Sequence, residues 1–427
     1  MKPYYQDNNI QIYHVDCREI LTSLADFSAI VTDPPYGLGF MGKEWDIFDK
    51  TQFGHEGLEG ANDLKVKKNF KILPRYRTDG LYDFIFDCFS LIRKSCLPGG
   101  PLLSFGGSRT QHRMACAIED AGWEIRDMLM WVYGSGFPKS LDISKAIDKQ
   151  QGTYVAGDAL PSSRTTHGNM YFQMKKKTAT NPQTPEAQLW EGYGTALKPA
   201  YEPIILAMNP LDGTFANNAL KHKVAGLNID ECRIPINPKS EPDVGDAYYL
   251  KRGLAYPNQG VSSSKIMGGK TDRVDITMSK GRFPANFLHD GSQMVMELFP
   301  ETSKGYGVAT RGKAKGDGSV FGIGGINPNR YDMGGQSAAR FFYCAKSSKR
   351  ERGEGNNHAT VKPLALMEYL CRLVKMPEYN LILDPFCGSG TTLLACIKLG
   401  IPCIGIDSDE QSCEIAARRC SQEVMEF

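Results

Sequence analysis

The sequence predicts an α/β fold built on a mainly parallel sheet and interrupted by a long irregular stretch. Three observations predict it. Apolar runs of strand length alternate with segments of helical periodicity near both ends of the chain. Three of those runs end on an acidic residue, at Asp33, Asp384 and Asp407. Between the two patterned blocks lies a stretch rich in Gly, Pro, Asn and Ser, with few long periodic segments.

Each element has its own signal. Ile10 to Val15 reads as a strand. Ala29 to Thr32 is a short apolar run closed by Asp33-Pro34-Pro35-Tyr36, so it reads as a buried strand followed by a forced turn. Leu81 to Cys96 has helical spacing and stops at Pro98-Gly99-Gly100. Pro101 to Phe105 is a strand, Gln111 to Ala121 a helix closed by Gly122, and Ile125 to Val132 a further strand. In the middle stretch only Glu202 to Met208 looks like a core strand. Leu364 to Val374 is then helical, and Leu381 to Leu383 is a strand ending at Asp384. Thr391 to Leu399 is a helix closed by Gly400, Cys403 to Ile406 a strand ending at Asp407, and Glu410 to Cys420 a helix.

Each patterned block is too short for a complete large sheet, so the two are expected to join. The boundaries fall at 1–133, 134–335 and 336–427. No internal repeat is present.

Composition narrows the class. The chain has 427 residues, 50 Lys+Arg and 48 Asp+Glu, and a net charge of +2. Hydrophobic residues are 41% and charged residues 23%, which suits an ordinary globular protein and excludes a largely disordered chain. No run approaches the roughly 20 apolar residues that span a bilayer, and no membrane partner is expected. The polar start, Met1 to Ile10, gives no sign of a signal peptide. The charge is not uniform: the middle stretch holds 24 basic and 19 acidic residues, while the rest holds 26 and 29. A nucleic-acid partner would therefore be held by a few placed basic side chains rather than by bulk charge. The 12 cysteines contain no C-x-x-C pair, so no structural metal is expected, and they read as small buried hydrophobes in a reducing cytoplasm.

Two motifs carry chemistry. Asp384-Pro385-Phe386-Cys387-Gly388-Ser389-Gly390-Thr391-Thr392 sits between a strand and a helix. Its glycines let a ligand approach the backbone, and the helix start presents free N–H groups. Asp407, at the end of the next strand, is placed to bind both hydroxyls of a ribose. A tight strand-to-helix turn is the alternative reading. The missing third glycine and missing G-K-[ST] argue against a dinucleotide or a P-loop nucleotide. The second motif is Asp33-Pro34-Pro35-Tyr36: a carboxylate, rigid carbonyls and an aromatic ring, suited to a planar ligand bearing an NH₂ group.

Together these residues resemble the amino-methyltransferases that modify adenine N6 or cytosine N4 in DNA with S-adenosylmethionine. Asp33 to Tyr36 matches the catalytic tetrapeptide of that family, and Asp384 to Gly390 its cofactor loop. The catalytic motif comes first, as in the permuted beta group. His358-Ala359-Thr360-Val361-Lys362-Pro363 matches the segment placed beside the cofactor's methionine end, and Asp16 the acidic residue that reads its adenine amino group. Phe40 to Lys43, Trp131 to Lys139 and Ser337 to Lys346 also look like phage and prophage members.

The resemblance implies a Rossmann-like methyltransferase domain with a mixed, mainly parallel seven-stranded sheet, split by an irregular target-recognition insert at 134–335. Asp33, Pro34, Pro35 and Tyr36 are the implied catalytic set. Asp16, Asp33, Thr360, Lys362, Asp384, Phe386, Gly388, Ser389, Gly390, Thr391, Thr392 and Asp407 are the implied cofactor-binding set. Double-stranded DNA is the implied partner, and a cytoplasmic enzyme of bacterial or phage origin the implied setting. A homodimer and a partner restriction endonuclease stay open.

Asp rather than Ser at the first motif position leans toward adenine N6. Cytosine N4, a protein that has lost catalysis and a fused nuclease are the alternatives. Candidate phosphate contacts are Lys65, Lys67, Lys68, Lys71, Arg75 and Arg77 after the catalytic turn, Lys139, and Lys175, Lys176 and Lys177. Arg109, His112 and Arg113 open a helix and are placed to face substrate too.

Overall fold

In the computed structural model, the residues described are 1–7, 9–24, 26–37, 78–134, 136, 140–155, 181–235, 281–302, 336–345 and 361–425. The apolar runs become strands: β1 (Tyr5–Gln6), β2 (Ile10–His14), β3 (Ala29–Thr32), β4 (Pro101–Phe105), β5 (Glu124–Val132), β6 (Tyr201–Met208), β7 (Phe287–His289), β8 (Glu301–Thr302), β9 (Gln336–Ser337), β10 (Tyr343–Cys344), β11 (Ile382–Asp384) and β12 (Cys403–Asp407). Ten of them form one sheet in the order β1-β2-β12-β11-β3-β4-β6-β5-β7-β10, and β8 pairs with β9 separately.

The strands from β2 through β12, β11 and β3 to β4 are parallel neighbours. β6 enters antiparallel between β4 and β5. β7 and β10 continue parallel beyond β5, and β1 closes the opposite edge antiparallel.

The expected seven strands are the run from β2 to β5. The sheet is wider than expected because β1, β7 and β10 extend its edges, and strands of two or three residues are too short to carry a readable alternation. β6 and β7 both lie within the stretch 134–335, so that stretch contributes to the sheet itself.

The helices are α1 (Cys17–Ile20), α2 (Thr78–Lys94), α3 (Gln111–Asp120), α4 (Ile143–Gln151), α5 (Pro185–Leu189), α6 (Phe215–His222), α7 (Gln293–Met296), α8 (Leu364–Leu373), α9 (Thr391–Leu399) and α10 (Glu410–Met425). They cover both sheet faces, which is why β3 and β4 are buried at every position. Alternate residues of one strand enter different cores. Val31, Leu103 and Ile204 pack with Leu366 and Leu370 of α8 and Leu394 of α9. Ile30, Leu102 and Ile205 pack with Ile85 and Phe89 of α2 and Met114 and Ile118 of α3. Each such side chain contributes roughly 1.5–3 kcal/mol by leaving water.

Helices α4, α5 and α6 fall where the sequence reads as irregular. They run nine, five and eight residues, and side-chain caps define them: Asp142 accepts from Lys145 N–H, Thr184 from Ala187 N–H and Thr214 from Asn217 N–H. Ten of the 12 cysteines are buried, and none is in a disulfide. Among the described residues no helix is long and apolar enough to cross a membrane.

The topology gathers the motifs at one sheet edge. Parallel strands end together, so the residues after β2, β3, β4, β11 and β12 all emerge on the same side. Because β6 runs the other way, its first residues, Tyr201 and Glu202, lie at that same edge.

Candidate active site

β3 delivers Asp33, and Pro34 and Pro35 turn the chain to bring Tyr36 back over it. The Tyr36 hydroxyl donates to Asp33 Oδ1 at 2.7 Å. The other carboxylate oxygen, Oδ2, accepts from Lys362 Nζ at 2.7 Å, although the two residues are 329 positions apart. Lys362 also donates to the Tyr36 oxygen at 3.2 Å and stands 3.1 Å from Glu202 Oε2. Its ammonium lies over the rings of Phe105, at 4.7 Å, and Tyr36, at 5.6 Å.

Burial alone would push the Lys362 pKa down, but Asp33 and Glu202 outweigh it and hold the side chain cationic. Burial, with Asp33 and Glu202 beside it, holds the Tyr36 phenol far above its ordinary value. Tyr133 is pushed up to about 12 by burial and then by the nearby charge of Glu202. The loop after β4 presses on Tyr36: a Cβ at Gly107 would lie 3.1 Å from the ring, so only glycine permits that approach.

The second motif is built around Asp384, which is 2% exposed. Its oxygens accept from Thr32 Oγ1 at 2.7 Å, Thr392 Oγ1 at 2.5 Å and Phe386 N–H at 3.2 Å. Burial still dominates and pushes its pKa up to about 6. Gly388 and Gly390 take left-handed φ values of +49° and +79°. A Cβ on Gly390 would lie 2.9 Å from the Ala416 Cβ, so the loop sits directly against α10.

Gly390 caps α9 with no side-chain hydrogen bond, leaving the first N–H groups of that helix for another acceptor. The loop is tied from below by Arg419, 5% exposed, which donates to the Ser389 carbonyl at 2.5 Å and to the hydroxyls of Ser389 and Thr391 at 3.1 and 3.3 Å. Ser389, Thr391 and Thr392 thus spend their hydroxyls on the protein, and what they offer outward is backbone.

Asp407 ends β12 next door. Its carboxylate accepts from Gly388 N–H at 2.8 Å and Asp409 N–H at 2.9 Å. Asp16, after β2, caps α1 and is gripped by Arg18 through contacts of 3.0 and 2.6 Å. Burial pushes the Asp16 carboxyl up, but the bonds from Arg18 leave it below the usual carboxylate range. Arg18 lies 5.2 Å over the ring of Phe84, which in turn meets the ring of Phe386 at 5.7 Å.

Asp33, Pro34, Pro35, Tyr36 and Lys362 therefore form one cluster. Asp384, Phe386, Gly388, Ser389, Gly390, Thr391, Thr392, Asp407 and Asp16 form a second one along the same edge. β11 and β3 are direct neighbours, and the Thr32–Asp384 bond joins the two clusters. Thr360, Lys65, Lys67, Lys68, Lys71, Arg75, Arg77, Lys139, Lys175, Lys176 and Lys177 lie outside the described residues, as do Phe40 to Lys43. Arg109, His112 and Arg113 are exposed at the start of α3, on the loop that presses against Tyr36.

Glu202, Tyr133, Arg18 and Arg419 were not singled out from sequence. A signal existed for Glu202, a charged residue opening an otherwise apolar strand. None existed for Arg419, one of two adjacent arginines on a polar helix.

A carboxylate turn and a glycine loop thus stand on adjacent strands of one α/β sheet. The chain belongs to the DNA methylase family that unites the N6 and N4 enzymes, whose family model matches residues 27–418. It is similar to the type II methyltransferase M.HindIII of Haemophilus influenzae, with 20% identity over 438 aligned residues covering 98% of this chain and 95% of that one. It is also similar to M.HpaI of Haemophilus parainfluenzae, with 34% identity over 109 residues covering 26% and 31%. Among solved structures, the cytosine-N4-specific PvuII DNA methyltransferase covers 98% of this chain and 88% of its own, at 12% identity and a TM-score of 0.44.

Proposed function

We propose that the chain moves a methyl group from S-adenosylmethionine to the exocyclic N6 of an adenine flipped out of double-stranded DNA, as a beta-group enzyme with its target-recognition part in 134–335. The observation that carries the reading is the catalytic turn: Asp33 is held on both oxygens, by Tyr36 and Lys362, one strand away from a glycine loop braced by Asp384.

The residues fit the cofactor. Left-handed Gly388 and Gly390 leave a loop open to close approach, and the uncapped start of α9 suits a carboxylate. Asp407, at the end of β12, offers a carboxylate to the ribose hydroxyls. Phe386 offers an apolar ring, and Asp16 an acceptor for an adenine amino group. Bound there, S-adenosylmethionine supplies an electrophilic methyl on a sulfonium, whose C–S electron pair stays with sulfur as the N–C bond forms.

The protein's part is placement and electrostatics. The adenine amino nitrogen is a poor nucleophile because its lone pair is delocalised into the ring. Asp33 and the Pro34 carbonyl accept its two hydrogens and favour a pyramidal nitrogen with an available lone pair. Tyr36 stacks on the extruded base, offsetting part of an unstacking cost of a few kcal/mol. The methylated nitrogen is cationic and sheds one proton, with Asp33 the nearest carboxylate on its way to solvent. Arg109, His112 and Arg113, exposed beside Tyr36, meet the phosphates next to the flipped base.

The test is methyl transfer from labelled S-adenosylmethionine to unmethylated DNA, followed by mass spectrometry of the nucleosides. N6-methyladenine is the expected product. N4-methylcytosine alone would replace adenine by cytosine, and no methylated nucleoside would sink the reading.

A further inference from the structure

We propose that Glu202 is a positioning residue for methyl transfer, sharing the Lys362 ammonium with Asp33 so that the cluster keeps one net negative charge beside the reacting nitrogen. The proposal rests on the reading above and deepens it.

The geometry is a bridge. Lys362 Nζ stands 2.7 Å from Asp33 Oδ2 and 3.1 Å from Glu202 Oε2, and the lysine side chain is 10% exposed. Two carboxylates and one ammonium leave a charge of −1. With Asp33 alone the pair would be neutral, and the whole ammonium would lie on the carboxylate that must accept the amino hydrogens. As the N–C bond forms, positive charge grows on the nitrogen. A preorganised negative cluster in a partly buried site stabilises that charge.

The fold goes out of its way to provide Glu202. It is the second residue of β6, and the residues that follow it, Pro203 to Met208, are buried throughout. Such a carboxylate is tolerated only with partners. Lys362 is its charged partner at 3.1 Å, and the Tyr133 phenol, whose pKa Glu202 raises, lies near it. The register sets Glu202 opposite Trp131, two residues before Tyr133, so the antiparallel pairing of β5 and β6 fixes the whole arrangement. The charged or titratable groups facing Lys362 are Asp33 and Tyr36 after β3, Glu202 on β6 and Tyr133 after β5.

The experiment compares wild type with Glu202→Gln, which keeps the shape and removes the charge. Wild-type transfer to unmethylated DNA is measured first, so an inactive wild type sinks the functional reading and a mutant difference addresses Glu202. The Gln variant is expected to lose about tenfold or more in kcat while both KM values stay within about twofold. Calorimetric S-adenosylmethionine affinity and the melting temperature are expected to match wild type.

If Glu202→Gln does not fold, Glu202→Asp carries the test: the retained charge at longer reach should give a loss of kcat smaller than about tenfold with both KM values unchanged. An unchanged kcat in the variant that folds would overturn the proposal. So would a kcat loss accompanied by an equal loss of cofactor binding and a lowered melting temperature, which would mark Glu202 as a purely structural partner of Lys362.

Discussion

The hydroxyl of Thr32 donates to Asp384 Oδ1 at 2.7 Å, across 352 positions of sequence. Thr32 is the last residue of the strand that delivers Asp33, and Asp384 is the last residue of the strand that delivers the glycine loop. One buried hydrogen bond thus sets the spacing between the two halves of the site.

The burial of Asp384 makes the stability of the fold depend on pH. The Asp384 pKa is raised from 3.8 to about 6 in the folded chain, so the native state holds its proton more tightly than the unfolded state does. Stability from this group is full below the unfolded pKa and falls as pH rises through about 6, by roughly 3 kcal/mol. Asp384→Asn lacks that titration. The difference in urea unfolding free energy, wild type minus variant, should therefore fall by roughly 3 kcal/mol between pH 4 and 7. A flat difference would mean that Asp384 is not held in a proton-favouring site.

Gly390 and Gly400 bracket α9, both with positive φ, at +79° and +64°. Only Gly390 is crowded, with Ala416 Cβ 2.9 Å from its would-be Cβ, while nothing lies within 4 Å at Gly400. Gly400→Ala should cost about 1 kcal/mol, from backbone strain. Gly390→Ala should cost roughly 2–4 kcal/mol, because overpacking adds to the strain. It should also weaken S-adenosylmethionine binding, which the first substitution should not. Urea unfolding and calorimetry read the two effects separately.

Asp33→Asn keeps the shape of the catalytic side chain and exchanges an acceptor for a donor. The expected loss is about 10²–10³ in kcat. DNA affinity by fluorescence anisotropy should stay within about twofold. Activity near wild type would remove Asp33 from the chemistry.

Arg109 and Arg113 are exposed around the start of α3, just after the loop whose Gly107 meets the Tyr36 ring. Replacing both with alanine should reduce the slope of log affinity against log salt by roughly two, because each arginine neutralises one phosphate. The weakening should be uniform across DNA sequences and leave the methylated nucleoside unchanged. An unaltered slope would place the DNA elsewhere on the surface.

Much of this architecture was legible because its signals are local. Asp33-Pro34-Pro35 can only be a turn, and Gly388 and Gly390 mark a loop whose φ values other residues resist. Each patterned block was too short for a complete large sheet, which was enough to join the first and last blocks. The pairing of Lys362 with Asp33 was not legible, because nothing local links residues 329 positions apart. The sequence resemblance set Lys362 beside the cofactor, and the fold brings it onto the catalytic carboxylate. Glu202 was hidden inside a run read as a core strand, since only the antiparallel direction of β6 turns its first residues toward the site. Arg419 was hidden for the opposite reason: its polar helix looks solvated, yet Arg419 points inward and is 5% exposed. α4 to α6 are defined by capping groups and not by a long apolar stripe, so periodicity passed over them.

The strand order also dictates when the enzyme can exist during its own synthesis. β2 leaves the ribosome early and can pair at once with β1, but its other neighbour is β12, which is not complete until residue 407. β3 likewise waits for β11. A nascent chain therefore carries its Asp33–Tyr36 turn on strands with an open side, and methylation competence arrives only when residues 382–407 slot between them. Such late, non-local closure makes folding slow and leaves the partial chain prone to misassociation, so holding the nascent chain clear of others is a built-in requirement of producing this enzyme.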